Sequence, residues 1–219
     1  MSDQFSYILK SNLAWAGYKS HINPSFFPSQ EACEAPKILW LGCSDSSMPE
    51  TIILGLQPGD IMSHRNAGNI IIAADINSSA AVEYAIHVLD VQRIVLCGHT
   101  HCDFMAAALS NAKIGGVLEQ WLSPLNILVK SNRKALECIE DDDRDRYTKM
   151  TRLAELNVQM GILALFRNAG VEKAIRDKGL RIHGVIYDTE SGKIKDLGFG
   201  NSKFSLENTR ARDTGLGNP

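Results

Sequence analysis

Two short apolar runs, each closed by a glycine, constrain this chain more than any other feature: Lys37-Ile38-Leu39-Trp40-Leu41-Gly42 and Arg93-Ile94-Val95-Leu96-Cys97-Gly98. Each is too short for a typical buried helix, so each reads as a buried strand. Another strand covers Asp60 to His64, after the turn Leu56-Gln57-Pro58-Gly59. Between this strand and the second glycine-closed run, Val82, Ala85, Ile86 and Leu89 recur at i, i+3, i+4 and i+7 and mark a helix with one apolar face. Strands that alternate with helices in this way predict an α/β fold with a mainly parallel sheet. A helical region follows from about Val117 to Asn168, broken near Ser123-Pro124 and at the charged run Glu140-Asp141-Asp142-Asp143-Arg144, read as a solvated loop. Leu180 to Tyr187 and Lys193 to Leu197, joined at Ser191-Gly192, supply a last strand and an edge hairpin. The expected architecture is a parallel sheet of about four strands plus an edge strand, flanked by helices.

At the start of the chain, Phe5, Ile8, Leu9, Leu13 and Ala16 have approximate helical spacing, which predicts an amphipathic helix up to about Ser20. We read one domain: a helical arm over 1–35, an α/β core over 36–198 and a polar extension over 199–219. A net charge of −2 argues against a nucleic-acid partner. No apolar run approaches the roughly 18 residues of a membrane span, and the first ten residues have no leader organisation. The expectation is a cytoplasmic protein.

Five cysteines stand at 33, 43, 97, 102 and 138, an odd set that does not read as a disulfide framework. The first glycine-closed run leads into Cys43-Ser44-Asp45-Ser46-Ser47 and the second into His99-Thr100-His101-Cys102. In a parallel α/β sheet, ligands bind beyond the carboxyl ends of the strands where the winding reverses. Cys43, His99 and Cys102 can therefore converge there. Two thiolates and an imidazole suit zinc and leave a fourth position for water. On spacing alone the alternative stays open, that these cysteines are small buried hydrophobes. Cys97, inside its strand, reads as an inert thiol, and His101 as a solvent-facing side chain or a proton shuttle.

Pro36 to Cys102 resembles the β-class carbonic anhydrases, particularly their fungal members. The family signature C-x-D-S-R is met by Cys43-Ser44-Asp45-Ser46, with Ser47 at the arginine position, and G-H-x-x-C by Gly98 to Cys102. Pro49-Glu50-Thr51, Leu56 to Asp60, Arg65-Asn66-Ala67-Gly68-Asn69, Leu156-Asn157-Val158, His183-Gly184 and Tyr187-Asp188 follow in the family's order, so the similarity spans about residues 5 to 198. The resemblance implies one zinc per chain on Cys43, His99 and Cys102, and reversible hydration of CO2 to bicarbonate. It implies Asp45 as acceptor of the water's proton, Asn66 and Gly68 near the substrate pocket, and a homodimer or a tetramer built from dimers.

The sequence departs from the family in three places. Ser47 cannot supply the cationic fork that pairs with Asp45. Asp103 and Phe104 stand where two glycines usually open the pocket. Glu34 stands where an amide often faces bicarbonate. All three changes make the pocket more anionic or more crowded, which predicts weak hydration. Without its arginine, Asp45 either closes on the metal's fourth position or bonds Ser46, Ser47 or a main-chain amide. Two other functions fit the same residues: a non-catalytic zinc protein with a structural or anion-sensing role, and a hydrolase of carbon disulfide or carbonyl sulfide.

Overall fold

In the computed structural model, which describes residues 4–27, 34–139 and 143–201, the two glycine-closed runs are adjacent parallel strands, β1 (Ile38–Cys43) and β3 (Arg93–His99). With β2 (Ile61–Asn66), β4 (Arg181–Tyr187) and β5 (Ile194–Gly200) they form one sheet in the order β2-β1-β3-β4-β5. The first four strands are parallel and β5 is antiparallel to β4, as expected of an edge hairpin. From β1 the chain turns to β2 on one side, then crosses to β3 on the other. The winding therefore reverses between the carboxyl ends of β1 and β3.

The chain divides into two compact units, Met1–Ala35 and Pro36–Pro219. The first holds helix α1 (Gln4–Ile22), which runs slightly beyond the expected end and buries none of its residues. Its apolar surface is broader than one stripe: Tyr7, Ile8 and Leu9 are consecutive, and all three are exposed, as are Phe5, Leu13, Trp15, Tyr18 and Ile22. Trp15, Phe26 and Phe27 meet edge to face, with centroids 5.0 to 6.1 Å apart.

In the second unit the helices are α2 (Glu50–Leu54), α3 (Ile76–His87), α4 (Asp103–Leu109), α5 (Gly116–Trp121), α6 (Ser123–Ser131), α7 (Arg133–Glu137), α8 (Asp143–Phe166) and α9 (Ala169–Lys178). The main core joins Leu39, Leu41, Ile94, Leu96, Ile182 and Ile186 of the sheet to Val82 and Ile86 of α3 and to Leu153, Val158 and Ile162 of α8. Helix α8 lies close on β3 and β4 because two strand residues lack side chains. A Cβ on Gly98 would sit 3.2 Å from Val158 Cγ2, and one on Gly184 would sit 2.9 Å from Val158 Cγ1. A smaller cluster of Trp40, Cys97, Val185 and Tyr187 occupies the other face of the sheet.

Two expectations need correction. Asn168 does not end the helical region; its side chain accepts the Val171 N–H at 3.1 Å and starts α9, which Gly179 closes at φ 70°. Asp143 and Arg144, expected in a loop, are the first residues of α8. The rest of that charged run, Glu140 to Asp142, lies outside the described residues, as do Cys33 and positions 202–219 of the expected extension.

Candidate metal centre

The reversal of winding brings Cys43, at the end of β1, beside His99, at the end of β3, and the turn after β3 brings back Cys102 as the N-cap of α4. All three are buried, and their ligating atoms lie within 4.8 Å of one another. The two sulfurs are 3.8 Å apart, the separation of about 3.8 Å expected of two thiolates on one tetrahedral zinc at Zn–S about 2.3 Å. His99 Nδ1 bonds the Thr100 carbonyl at 2.9 Å, which fixes the proton on that nitrogen. Its Nε2 is buried and has no hydrogen-bond partner among the described residues. An orphaned imidazole nitrogen facing two sulfurs is costly in a closed interior, and a metal ion satisfies it.

The electrostatics of the cluster fit the same use. Hydrogen bonding from Cys102 draws the Cys43 thiol well below the usual thiol value against the opposing effect of burial, with further help from His99 and the Asp45 main-chain N–H. That N–H lies 3.4 Å from the Cys43 sulfur. The Cys43 thiolate in turn holds Cys102 far above the usual thiol range, helped by burial. Burial disfavours the imidazolium of His99, but Cys43 outweighs it and the pKa is raised. Two sulfurs and a ring nitrogen that bind protons in each other's place are poised to exchange them for a divalent cation. Cys97 differs: buried within β3, its thiol is pushed up to about 12 by desolvation.

Asp45 is close to this triangle without joining it. Its Oδ2 accepts the main-chain N–H of Asp103 at 2.8 Å and lies 3.8 Å from His99 Nε2. Ser47 is exposed. Arg65 of β2 is committed to groups other than Asp45. Its Nη1 donates to the Ser46 carbonyl at 2.7 Å, its Nη2 to the Met48 carbonyl at 2.8 Å, and Nε and Nη2 to Glu50 Oε2 at 3.2 and 2.5 Å. Glu50 also accepts the Ser63 hydroxyl. Burial would raise the Glu50 carboxyl, but Ser63 and Arg65 prevail and hold it below the usual value. Arg65 and Glu50 thus clamp the loop that carries Cys43 and Asp45. Sequence reasoning quoted both residues without seeing the clamp; only the register of Gly42 opposite Arg65 brings them together.

The remaining predicted site residues divide. Asn66 closes its own loop, accepting the Ile70 N–H and donating to the Ile70 carbonyl, both at 2.8 Å. Gly68, at φ 76°, presents its carbonyl to Asn157 Nδ2 at 2.8 Å. Phe104 is half-buried and packs on the main core, while Asp103 is exposed. Glu34 is exposed and belongs to the first unit. His101 bonds Thr189 Oγ1 at 2.9 Å, and its ring centroid is 4.4 Å from that of Tyr147. A cavity of about 890 Å3 between α4, α6, α7 and α8 is lined by none of Cys43, His99 and Cys102.

A sheet whose winding reverses over a Cys–His–Cys triangle able to hold a metal ion defines an α/β protein with a candidate metal centre, and the carbonic anhydrase family profile matches residues 38–194. The chain belongs to the carbonic anhydrase family, within its β class and of the fungal type. It is 35% identical over 191 residues to a carbonic anhydrase of Emericella nidulans, covering 87% of this chain and 82% of that one. It is 38% identical over 171 residues to a carbonic anhydrase of Candida albicans, covering 78% and 59%. Among solved structures, a tetrameric β-carbonic anhydrase from Sordaria macrospora superposes with a TM-score of 0.85 at 48% identity, covering 90% of this chain and 98% of the other. The β-carbonic anhydrase CafA of Aspergillus fumigatus does so with a TM-score of 0.83 at 40% identity, covering 99% and 100%. Among the described residues, no helix is long and apolar enough to cross a membrane.

Proposed function

We propose that this protein catalyses the reversible hydration of CO2 to bicarbonate and a proton, with one zinc held by Cys43, His99 and Cys102. The observation that carries this reading is the orphaned Nε2 of His99 beside two sulfurs 3.8 Å apart. Zinc bound there supplies Lewis acidity, lowering the pKa of a water in its open position toward neutrality. Cys43 and Cys102 hold the ion as thiolates. Thr100 keeps the His99 ring oriented with Nε2 inward. Asp45 takes the proton released as water adds to the carbon of CO2, and passes it to solvent across its partly exposed edge.

Turnover is attenuated in this reading. Ser47 offers Asp45 no cation, Arg65 is committed to the loop carbonyls and Glu50, and Asp103 adds negative charge where bicarbonate must leave. Free thiols as ligands require a reducing compartment, which supports a cytoplasmic location. The exposed apolar surface of α1 supports self-association, as a homodimer or a tetramer built from dimers. Stopped-flow proton release from CO2-saturated buffer tests the reading. Zinc-loaded protein should exceed the buffer rate, and Cys43→Ser should return to it. Zinc-loaded protein no faster than buffer would reject hydration.

A further inference from the structure

The polar environment of Asp45 has a feature that the missing arginine brings to the fore. Among the described residues its Oδ2 is held by one hydrogen-bond donor, the main-chain N–H of Asp103 at 2.8 Å. That N–H is available because Asp103 is the first residue of α4, and the first N–H groups of a helix have no intrahelical acceptor. The turn beneath it is well tied: the Cys102 carbonyl accepts the N–H groups of Met105 and Ala106, both at 3.1 Å. The guanidinium of Arg65, on the neighbouring strand β2, is spent on the Cys43, Ser46 and Met48 carbonyls and on Glu50.

Resting on the metal reading above, we propose that the Asp103 main-chain N–H is the positioning group that keeps Asp45 off the metal, so that the fourth coordination position stays open without the family's arginine. Asp45 Oδ2, 3.8 Å from His99 Nε2, is near enough to the triangle to be drawn onto a metal ion there, and the Asp103 N–H is the donor that holds it back. The anchor belongs to the backbone, so it is indifferent to which side chain occupies position 103. An aspartate there, where the family has glycine, leaves the N–H in place.

One substitution removes the donor alone. Asp103→Pro replaces the N–H with a ring carbon at a helix position that favours proline, and Cys102, at φ −78° and ψ 121°, already has the extended conformation a following proline requires. Asp103→Ala deletes the side chain and keeps the N–H. Cobalt(II)-loaded proteins would be titrated with sodium azide and followed by visible absorption, which reports an anion entering the open position. Asp103→Ala, which keeps the N–H and loses a negative charge, should bind azide at least as tightly as wild type. Asp103→Pro should bind azide at least tenfold more weakly than Asp103→Ala, and adding Asp45→Ala to it should restore the response. Asp103→Pro responding like Asp103→Ala would overturn the inference. So would a silent wild type whose Asp45→Ala variant responds, because Asp45 would then already be on the metal. If Asp103→Pro does not fold, amide exchange of Asp103 by NMR decides. Asp45→Ala should exchange that proton at least tenfold faster than wild type, and equal rates would overturn the anchor. Failure of wild type to hold about one cobalt per chain, measured before azide is added, overturns the metal reading itself.

Discussion

Replacing Arg65 by methionine keeps the length and apolar stem of the side chain and removes its guanidinium. Five contacts go with it: the carbonyls of Cys43, Ser46 and Met48 and two bonds to Glu50 Oε2. The carbonyls can rehydrate, but Glu50 cannot do so readily, because its side chain is only 10% exposed. Removing one member of a buried pair costs about 3–5 kcal/mol. The Arg65 side chain is 25% exposed, so water recovers part of this, and about 3 kcal/mol remains. For a chain of this size that lowers Tm by about 6–12 °C. Adding Glu50→Gln removes the stranded charge and should recover about 1–2 kcal/mol.

The pH dependence has a definite sign. In wild type the Glu50 carboxyl is depressed by Ser63 and Arg65 against burial, so its contribution is complete above the ordinary carboxylate value and is lost as pH falls through the folded one. In Arg65→Met, burial dominates and the carboxyl rises, so acid relieves the variant. The Tm gap between the two should therefore narrow from pH 7 to about pH 5. Because the clamped loop carries Cys43, zinc affinity should also fall by about tenfold or more. Thermal unfolding by circular dichroism and a competitive zinc titration measure both effects. A Tm loss under about 2 °C, or a double variant no more stable than Arg65→Met, would refute the reasoning.

Purified protein should contain about one zinc per chain by elemental analysis; Cys43→Ser and Cys102→Ala should lose most of it, whereas Cys97→Ala, which alters an inert thiol, should not. Full retention in both ligand variants would reject the site. Deleting residues 1–22, and with them the unburied apolar surface of α1, should yield smaller or aggregating species by light scattering; a well-behaved monomer with and without the helix would reject its role in assembly. Ser47→Arg should raise hydration, and more so with Asp103→Gly and Phe104→Gly; no gain from the triple change would show that arginine loss is not the main defect.

Local chemistry made much of this protein legible in one dimension. The buried strands β1 and β3 have no polar alternation to disguise them, and their glycines were visible as endings, so the α/β class and the positions of Cys43, His99 and Cys102 followed from sequence. Helix α9 escaped because an N-capping asparagine between two helices resembles a helix end when only the preceding pattern is in view. Glu34 and Cys33 show where local reading stops, because a residue type says nothing of what it faces. Tertiary structure alone decided how the loop after β1 is held. Parallel pairing of β1 with β2 sets Gly42 opposite Arg65, which puts a guanidinium from 22 residues beyond Cys43 under that cysteine's own carbonyl. The turn after β3 brings the Asp103 N–H to a carboxylate 58 residues earlier in the chain. Contacts of that range depend on register and on the direction of the chain at a strand end, and both are set by packing of the whole sheet against α3 and α8 rather than by the residues that make them.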